Sequence, residues 1–296
     1  MKNPNPILGK LHNQTREVLV GTADDDTIYP GGGWDIVEGG AGVDTVVIIG
    51  RSSQFKLVLE NGVTYIDALS GASAMTERAQ LVNVEFVQFL DKTVSLVVND
   101  IFVGEPGIDF FDGGLGSDTV VYSGPSEQYT VNKSGNRFIV SEPTGLDGTD
   151  YLTSVERLHF KNSKLALDVA DGPLADGAKL IGALLGPTFI KDKAIAGIVI
   201  GLMEQNYAPE FVASLGLATP LYLSMAGSSS NADFVKHVFN NVVGRPPLIQ
   251  ELNEFVGMLE NGSTNQASLA VMAANTDLNA ARIDLIGLVQ HGWEFI

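Results

Sequence analysis

The sequence predicts a multi-domain α+β protein in which two copies of a short β module precede an all-α helical domain. Three observations predict it. Glycine and aspartate recur every nine residues in two separate blocks. A longer stretch after each block recurs with it. Beyond about Asp171 the apolar residues change to helical spacing.

Residues 1–20 read as an N-terminal arm. They open Met-Lys-Asn-Pro-Asn-Pro, without the apolar core of a cleaved signal peptide, so export by another route is expected. From Gly21 three nine-residue units follow: GTADDDTIY (Gly21–Tyr29), PGGGWDIVE (Pro30–Glu38) and GGAGVDTVV (Gly39–Val47). The third fits the pattern G-G-x-G-x-D-x-U-x, U being apolar, at every fixed position. The first has Asp24 in place of a glycine, and the second begins with Pro30. The second block holds Ser95–Val103, a degenerate unit, then Gly104–Asp112 and Gly113–Val121.

The likeness of the blocks extends past the nonapeptides. Gly42–Val47 corresponds to Gly116–Val121 at an offset of 74, and Asn83–Phe89 to Ser154–Phe160 at an offset of 71. Between these segments lie β-patterned stretches, Gln54–Ile66 and Gln128–Val140. The β modules are placed at residues 21–97 and 98–170. Asp171–Gly177 reads as a linker, and residues 171–229 as that linker with an apolar helical segment. Residues 230–296 form the C-terminal helical domain. Phe234, Val238 and Val242 interleave with Val235, Phe239 and Val243 in one apolar stripe, capped by Ser230 or Asn231 and stopped at Gly244. Leu248–Leu259 marks a second helix ended by Gly262. Thr264 is placed as the cap of a third, and Asp277 as the cap of a fourth running towards Gly292.

Composition narrows the function. The 296 residues carry 35 acidic against 18 basic side chains, a net charge of −17, which argues against nucleic acid as a partner and suits cations. With no cysteine, disulfides, cysteine zinc sites and cysteine nucleophiles are excluded. The most apolar stretch, Ala194–Met203, falls short of the roughly 20 residues a membrane helix needs. His12, His159, His237 and His291 show no paired-ligand spacing, and neither a G-x-S-x-G elbow nor a phosphate-binding loop is present, so no enzyme activity is expected.

The nonapeptides supply oxygens in two ways. Each aspartate gives a carboxylate, and the glycines permit backbone angles that aim carbonyls inward. Calcium, a hard cation taking roughly six to eight oxygens, is the expected ligand. The candidate metal residues are Asp26, Asp35 and Asp44 with Gly21, Gly39 and Gly42 in the first block. In the second they are Asp100, Asp109 and Asp118 with Gly113 and Gly116. The bland alternative is a set of ordinary Gly/Asp turns. For Glu85 and Glu156, which are equivalent by duplication, a hydrogen-bonding role is expected.

Residues 21–170 resemble the repeats-in-toxin (RTX) modules of bacterial proteins exported by type I secretion. The run Gly148–Phe160 resembles the segment that follows such repeats. The resemblance implies a β-roll in which two nonapeptides make one turn, so that aspartates 18 apart, Asp26 with Asp44 and Asp100 with Asp118, share one calcium (Ca2+) each. Asp35 and Asp109 then lack a stacking partner within their blocks. From about residue 230 the chain resembles a helical domain of unknown function that closes many such proteins. The resemblance also implies the type I secretion machinery as a partner, an uncleaved C-terminal signal, and folding outside the cell when calcium binds. The expected protein is secreted, at the cell surface or in the extracellular matrix. It is structural, of S-layer or biofilm type, and self-associating; the alternatives are a calcium-dependent adhesin or an accessory or enzyme component.

Overall fold

The computed structural model describes residues 6–10, 16–60, 63–69 and 76–296. The chain forms two compact units. The first comprises Met1–Val121 with Asn136–Phe138 and Thr149–Glu156; the second comprises Tyr122–Gly135, Ile139–Gly148 and Arg157–Ile296. Among the described residues no helix is long and apolar enough to cross a membrane.

In the first unit, strands recur where each nonapeptide ends in β-branched or aromatic residues. They are β1 (Ile7–Leu8), β2 (Val18–Val20), β3 (Thr27–Tyr29), β4 (Gly33–Glu38) and β5 (Thr45–Val47). A hairpin of β6 (Phe55–Glu60) and β7 (Val63–Ala68) leads into β8 (Thr76–Val82), β9 (Phe86–Gln88) and β10 (Thr93–Ser95). Two sheets result, in the orders β1-β3-β5-β9-β10 and β2-β4-β8-β7-β6. The strands of the roll pair in parallel: Ile28 lies beside Val46, Val46 beside Val87, and Val37 between Leu19 and Leu81. The apolar U residues Ile28, Val37 and Val46 are fully buried and share a core with Ile48, Ile66, Leu81 and Val87. Residues 7–8 and 18–20, read from sequence as part of an arm, are thus strands of this roll.

The second block repeats the plan with β11 (Ile101–Val103), β12 (Phe110–Asp112) and β13 (Thr119–Val121). β11 lies parallel to β13, with Phe102 beside Val120. After β14 (Thr130–Ser134) and β15 (Arg137–Ser141) comes β16 (Thr149–Thr153), which lies parallel to β12. Val120 is fully buried, and Phe102 packs on Phe111 with ring centroids 5.3 Å apart.

The second unit holds β17 (Arg157–His159), β18 (Lys164–Ala166) and nine described helices. These are α1 (Gly172–Leu184), α2 (Lys193–Glu204), α3 (Pro209–Leu217), α4 (Pro220–Ala226), α5 (Asn231–Val243), α6 (Ile249–Glu260), α7 (Gln266–Ala274), α8 (Asp277–Arg282) and α9 (Leu285–His291). The expected linker at Asp171–Gly177 is instead the start of α1. Pro173 sits in its first turn, where a missing N–H costs nothing. Gly177 is needed for packing there, since a Cβ would come 2.8 Å from Val199 and 3.0 Å from Met203. The stripe predicted for α5 holds: Ser230 caps the helix, Gly244 ends it in the left-handed region, and Phe234, Val235, Val238 and Val242 are buried.

Two further caps differ from expectation. Asn265, not Thr264, caps α7, and Thr276, not Asp277, caps α8. The single helix expected towards Gly292 breaks at Asp284, which adopts φ 54° and caps α9. The chain then adds a strand to the helical domain. β19 (Trp293–Phe295) pairs antiparallel with β18, and its buried Trp293 donates its indole N–H to the Ile190 carbonyl at 3.0 Å.

Candidate metal centre

The 18-residue stagger brings the candidate aspartates into rows. The Asp26 backbone N–H donates to Asp44 Oδ1 at 2.8 Å, and the Asp100 N–H to Asp118 Oδ1 at 2.6 Å. Each expected pair is therefore stacked in adjacent coils. The rows continue past the nonapeptides, because the Asp44 N–H donates to Glu85 Oε2 at 2.7 Å and the Asp118 N–H to Glu156 Oε2 at 2.9 Å. The hydrogen-bonding role expected for both glutamates is present.

Asp35 and Asp109, expected to lack a stacking partner within their blocks, find one in the flanking segments. Asp35 Oδ1 accepts the Glu17 N–H at 2.9 Å, and the Asp109 N–H donates to Asp150 Oδ1 at 3.0 Å. Sequence reasoning missed Glu17 and Asp150 because neither lies in a recognised nonapeptide. Glu17 could have been found by counting nine residues back from Asp26. Asp150 stands 41 residues beyond Asp109, with no fixed period to reveal it.

The glycines are set by close approach between coils. A Cβ on Gly21 would lie 1.7 Å from the Gly39 carbonyl oxygen, and one on Gly39 would lie 1.9 Å from that of Asn83. On Gly113 it would lie 2.1 Å from the Ser154 carbonyl oxygen. Gly42 and Gly116 have φ of 115° and 145°, which L side chains resist.

The electrostatics are unfavourable for a chain without a cation. Asp35, Asp44 and Asp118 are at most 1% exposed, and in each the Oδ2 atom has no hydrogen-bond partner. Burial pushes all three carboxyls above the ordinary range, although each accepts a backbone N–H that pulls the other way. Neighbouring carboxylates add to the rise: Glu17 acts on Asp35, Glu85 on Asp44 and Asp100 on Asp118. Among the described residues no three His, Cys, Asp or Glu side chains form a metal cluster. A calcium shell here would therefore join paired carboxylates to backbone carbonyls, a donor set of oxygens only, as calcium prefers. Buried, unpartnered carboxylate oxygens beside glycine-exposed carbonyls fit that ion.

Residues 13–46 and 98–124 match the RTX calcium-binding nonapeptide repeat in four copies. Each of the two nonapeptide blocks thus contains RTX repeats. RTX repeats bind calcium ions, and the proteins that carry them are typically secreted. Residues 217–281 match DUF4214, a domain of unknown function, and neither matched family is enzymatic. No curated protein matches the chain. Beyond the RTX rows, His12 lies outside the described residues. His159 is half-buried in β17, where burial lowers its pKa, while His237 and His291 bond the Leu184 and Val131 carbonyls. Trp34 is 39% exposed under the Arg16 guanidinium, 4.5 Å from the ring centroid.

Proposed function

We propose that this is a secreted, calcium-binding structural protein of the bacterial cell surface or extracellular matrix, of S-layer or biofilm type. On this reading it has no enzymatic role, and it folds and assembles when calcium binds. The observation that carries the reading is the set of buried carboxylate oxygens without partners at Asp35, Asp44 and Asp118. Calcium is held by Asp26 with Asp44 and by Asp100 with Asp118, and in second rows by Asp35 and Asp109. Gly21, Gly39, Gly42, Gly113 and Gly116 permit the coils to approach. Without the ion these carboxylates repel one another and are poorly solvated, so binding contributes directly to folding. Cytosolic calcium is scarce, which keeps the repeats open for the type I secretion machinery until they meet calcium outside.

Self-association is supported by the edge of the second roll. Among the described residues, β11 and β12 each have one strand neighbour. Ile101, Val103 and Phe110 on these strands are 75%, 63% and 73% exposed. Open strand edges with apolar outward residues invite pairing with another chain. A second reading, a calcium-dependent adhesin, is favoured by an apolar cavity of about 300 Å3 in the helical domain, lined by Phe234, Phe239, Phe255 and Leu269 among others.

Electron microscopy and sedimentation of the purified chain, in EDTA and in millimolar calcium, test the proposal. Growth into large ordered particles with calcium is expected. A calcium-stabilised monomer that does not assemble would turn the case to the adhesin, and indifference to calcium would overturn both readings.

A further inference from the structure

The RTX match accounts for carboxylates inside the nonapeptides, yet both first rows run one carboxylate further. The bond that stacks Asp26 on Asp44 recurs between Asp44 and Glu85, and the bond that stacks Asp100 on Asp118 recurs between Asp118 and Glu156. The strands keep step: β5 pairs with β9 in parallel, as β3 does with β5. Glu85 and Glu156 therefore occupy the row position an aspartate would hold in one more repeat.

A second observation points to a ligand in that last interval. Asp44 and Asp118 are fully buried, and their Oδ2 atoms have no hydrogen-bond partner. Each of these oxygens converges with a carbonyl from the segment carrying the glutamate. Asp44 Oδ2 and the Asn83 carbonyl oxygen lie 2.4 and 1.9 Å from the point where a Gly39 Cβ would sit. Asp118 Oδ2 and the Ser154 carbonyl oxygen lie 2.4 and 2.1 Å from the corresponding point at Gly113. Each pair of oxygens is thus close together, and Glu85 or Glu156 stands two residues beyond the carbonyl.

We propose that each roll ends in an additional calcium site outside the nonapeptides. Asp44, the Asn83 carbonyl and Glu85 form it in the first roll; Asp118, the Ser154 carbonyl and Glu156 form it in the second. The proposal rests on calcium binding by the rows. The competing role for each glutamate is to accept one backbone N–H and nothing more.

The test uses the full chain, with calcium counted by native mass spectrometry and affinities taken from calorimetry. Glu85→Gln and Glu156→Gln keep an oxygen that can accept the N–H but remove the charge. Glu85→Asp and Glu156→Asp keep the charge on a shorter reach. Expected is the loss of one bound calcium with each Gln variant, or at least tenfold weakening of one binding step, with partial recovery in each Asp variant. Folded Gln variants with the wild-type count and affinities would overturn the extra sites while leaving the nonapeptide sites intact. So would Gln variants that match the wild type where the Asp variants lose calcium or stability. A wild type that binds no calcium would instead overturn the function proposed above.

Discussion

The two units close their polar groups in opposite ways. In the helical unit the helix ends are met locally. Asp192, Thr219, Ser230, Asn265, Thr276 and Asp284 each accept an N–H from the first turn they cap, and the core between the helices is a continuous apolar cluster. In the β unit the side chains that hold adjacent coils together are carboxylates, and Asp35, Asp44 and Asp118 among them keep a buried oxygen with no hydrogen-bond partner. Among the described residues, the helical unit leaves the Tyr222 hydroxyl and Asn279 Oδ1 buried without a hydrogen-bond partner, but no carboxylate. On the function proposed above, the β unit is completed by a cation, and its stability belongs to its surroundings as much as to its sequence.

Calcium should break the comparison most visibly. At about a hundred times its dissociation constant, a ligand that binds only the folded state stabilises by about 2.7 kcal/mol per site. The two tryptophans fall one to each unit, Trp34 in β4 and Trp293 in β19, so Trp293→Phe leaves a reporter of the β unit and Trp34→Phe one of the helical unit. Calcium should raise the melting temperature seen by Trp34 and leave that seen by Trp293 nearly unchanged. Equal shifts in both would show that the units do not differ in this respect.

Glycine substitutions sharpen the contrast. Gly39→Ala and Gly113→Ala press a methyl group against a backbone carbonyl and should destabilise the roll by roughly 1–3 kcal/mol. Gly257→Ala, in α6 with nothing within 4 Å of the added carbon, should stabilise its helix by about 0.5–1 kcal/mol. Urea denaturation midpoints decide both signs.

The smallest effect is in acid. The Arg245 guanidinium, together with the Leu248 N–H, holds the Glu251 carboxyl at about 2. That interaction is present above the ordinary glutamate value and is lost as pH falls towards about 2. For Asp118, whose carboxyl is raised by burial, the sign reverses: without calcium its contribution is fullest below the ordinary aspartate value and is lost as pH rises through the raised one. Glu251→Gln should therefore reduce the acid loss of stability in the helical unit. Asp118→Asn in EDTA should reduce the loss in the β unit on going from acid to neutral pH. Variants with wild-type pH profiles would count against these assignments.

The sequence displayed the roll through its period. Asp26 and Asp44 are legible as a pair because 18 residues is one full coil, and α5 is legible because Phe234, Val238 and Val242 share a face with a serine cap before them. Glu17 escaped although it stands nine residues before Asp26; the rest of what escaped follows no period or mimics a turn. Asp150 joins Asp109 across a hairpin of arbitrary length. Asp-Gly-Pro at the head of α1 has turn composition, yet proline fits the first turn of a helix. β19 is three residues long, and its pairing with β18 depends on tertiary contacts that no local pattern announces.

That terminal strand also bears on folding speed. Glu294 Oε1 accepts the Ser126 and Ser163 hydroxyls at 2.6 Å each and the Lys193 ammonium at 2.7 Å, the Ser163 bond spanning 131 residues. The coils of the roll can zip from contacts 18 residues apart. The second unit must close a far longer loop before β19 reaches its place, and high contact order slows folding. The grip on Glu294 is therefore expected among the last native contacts to form.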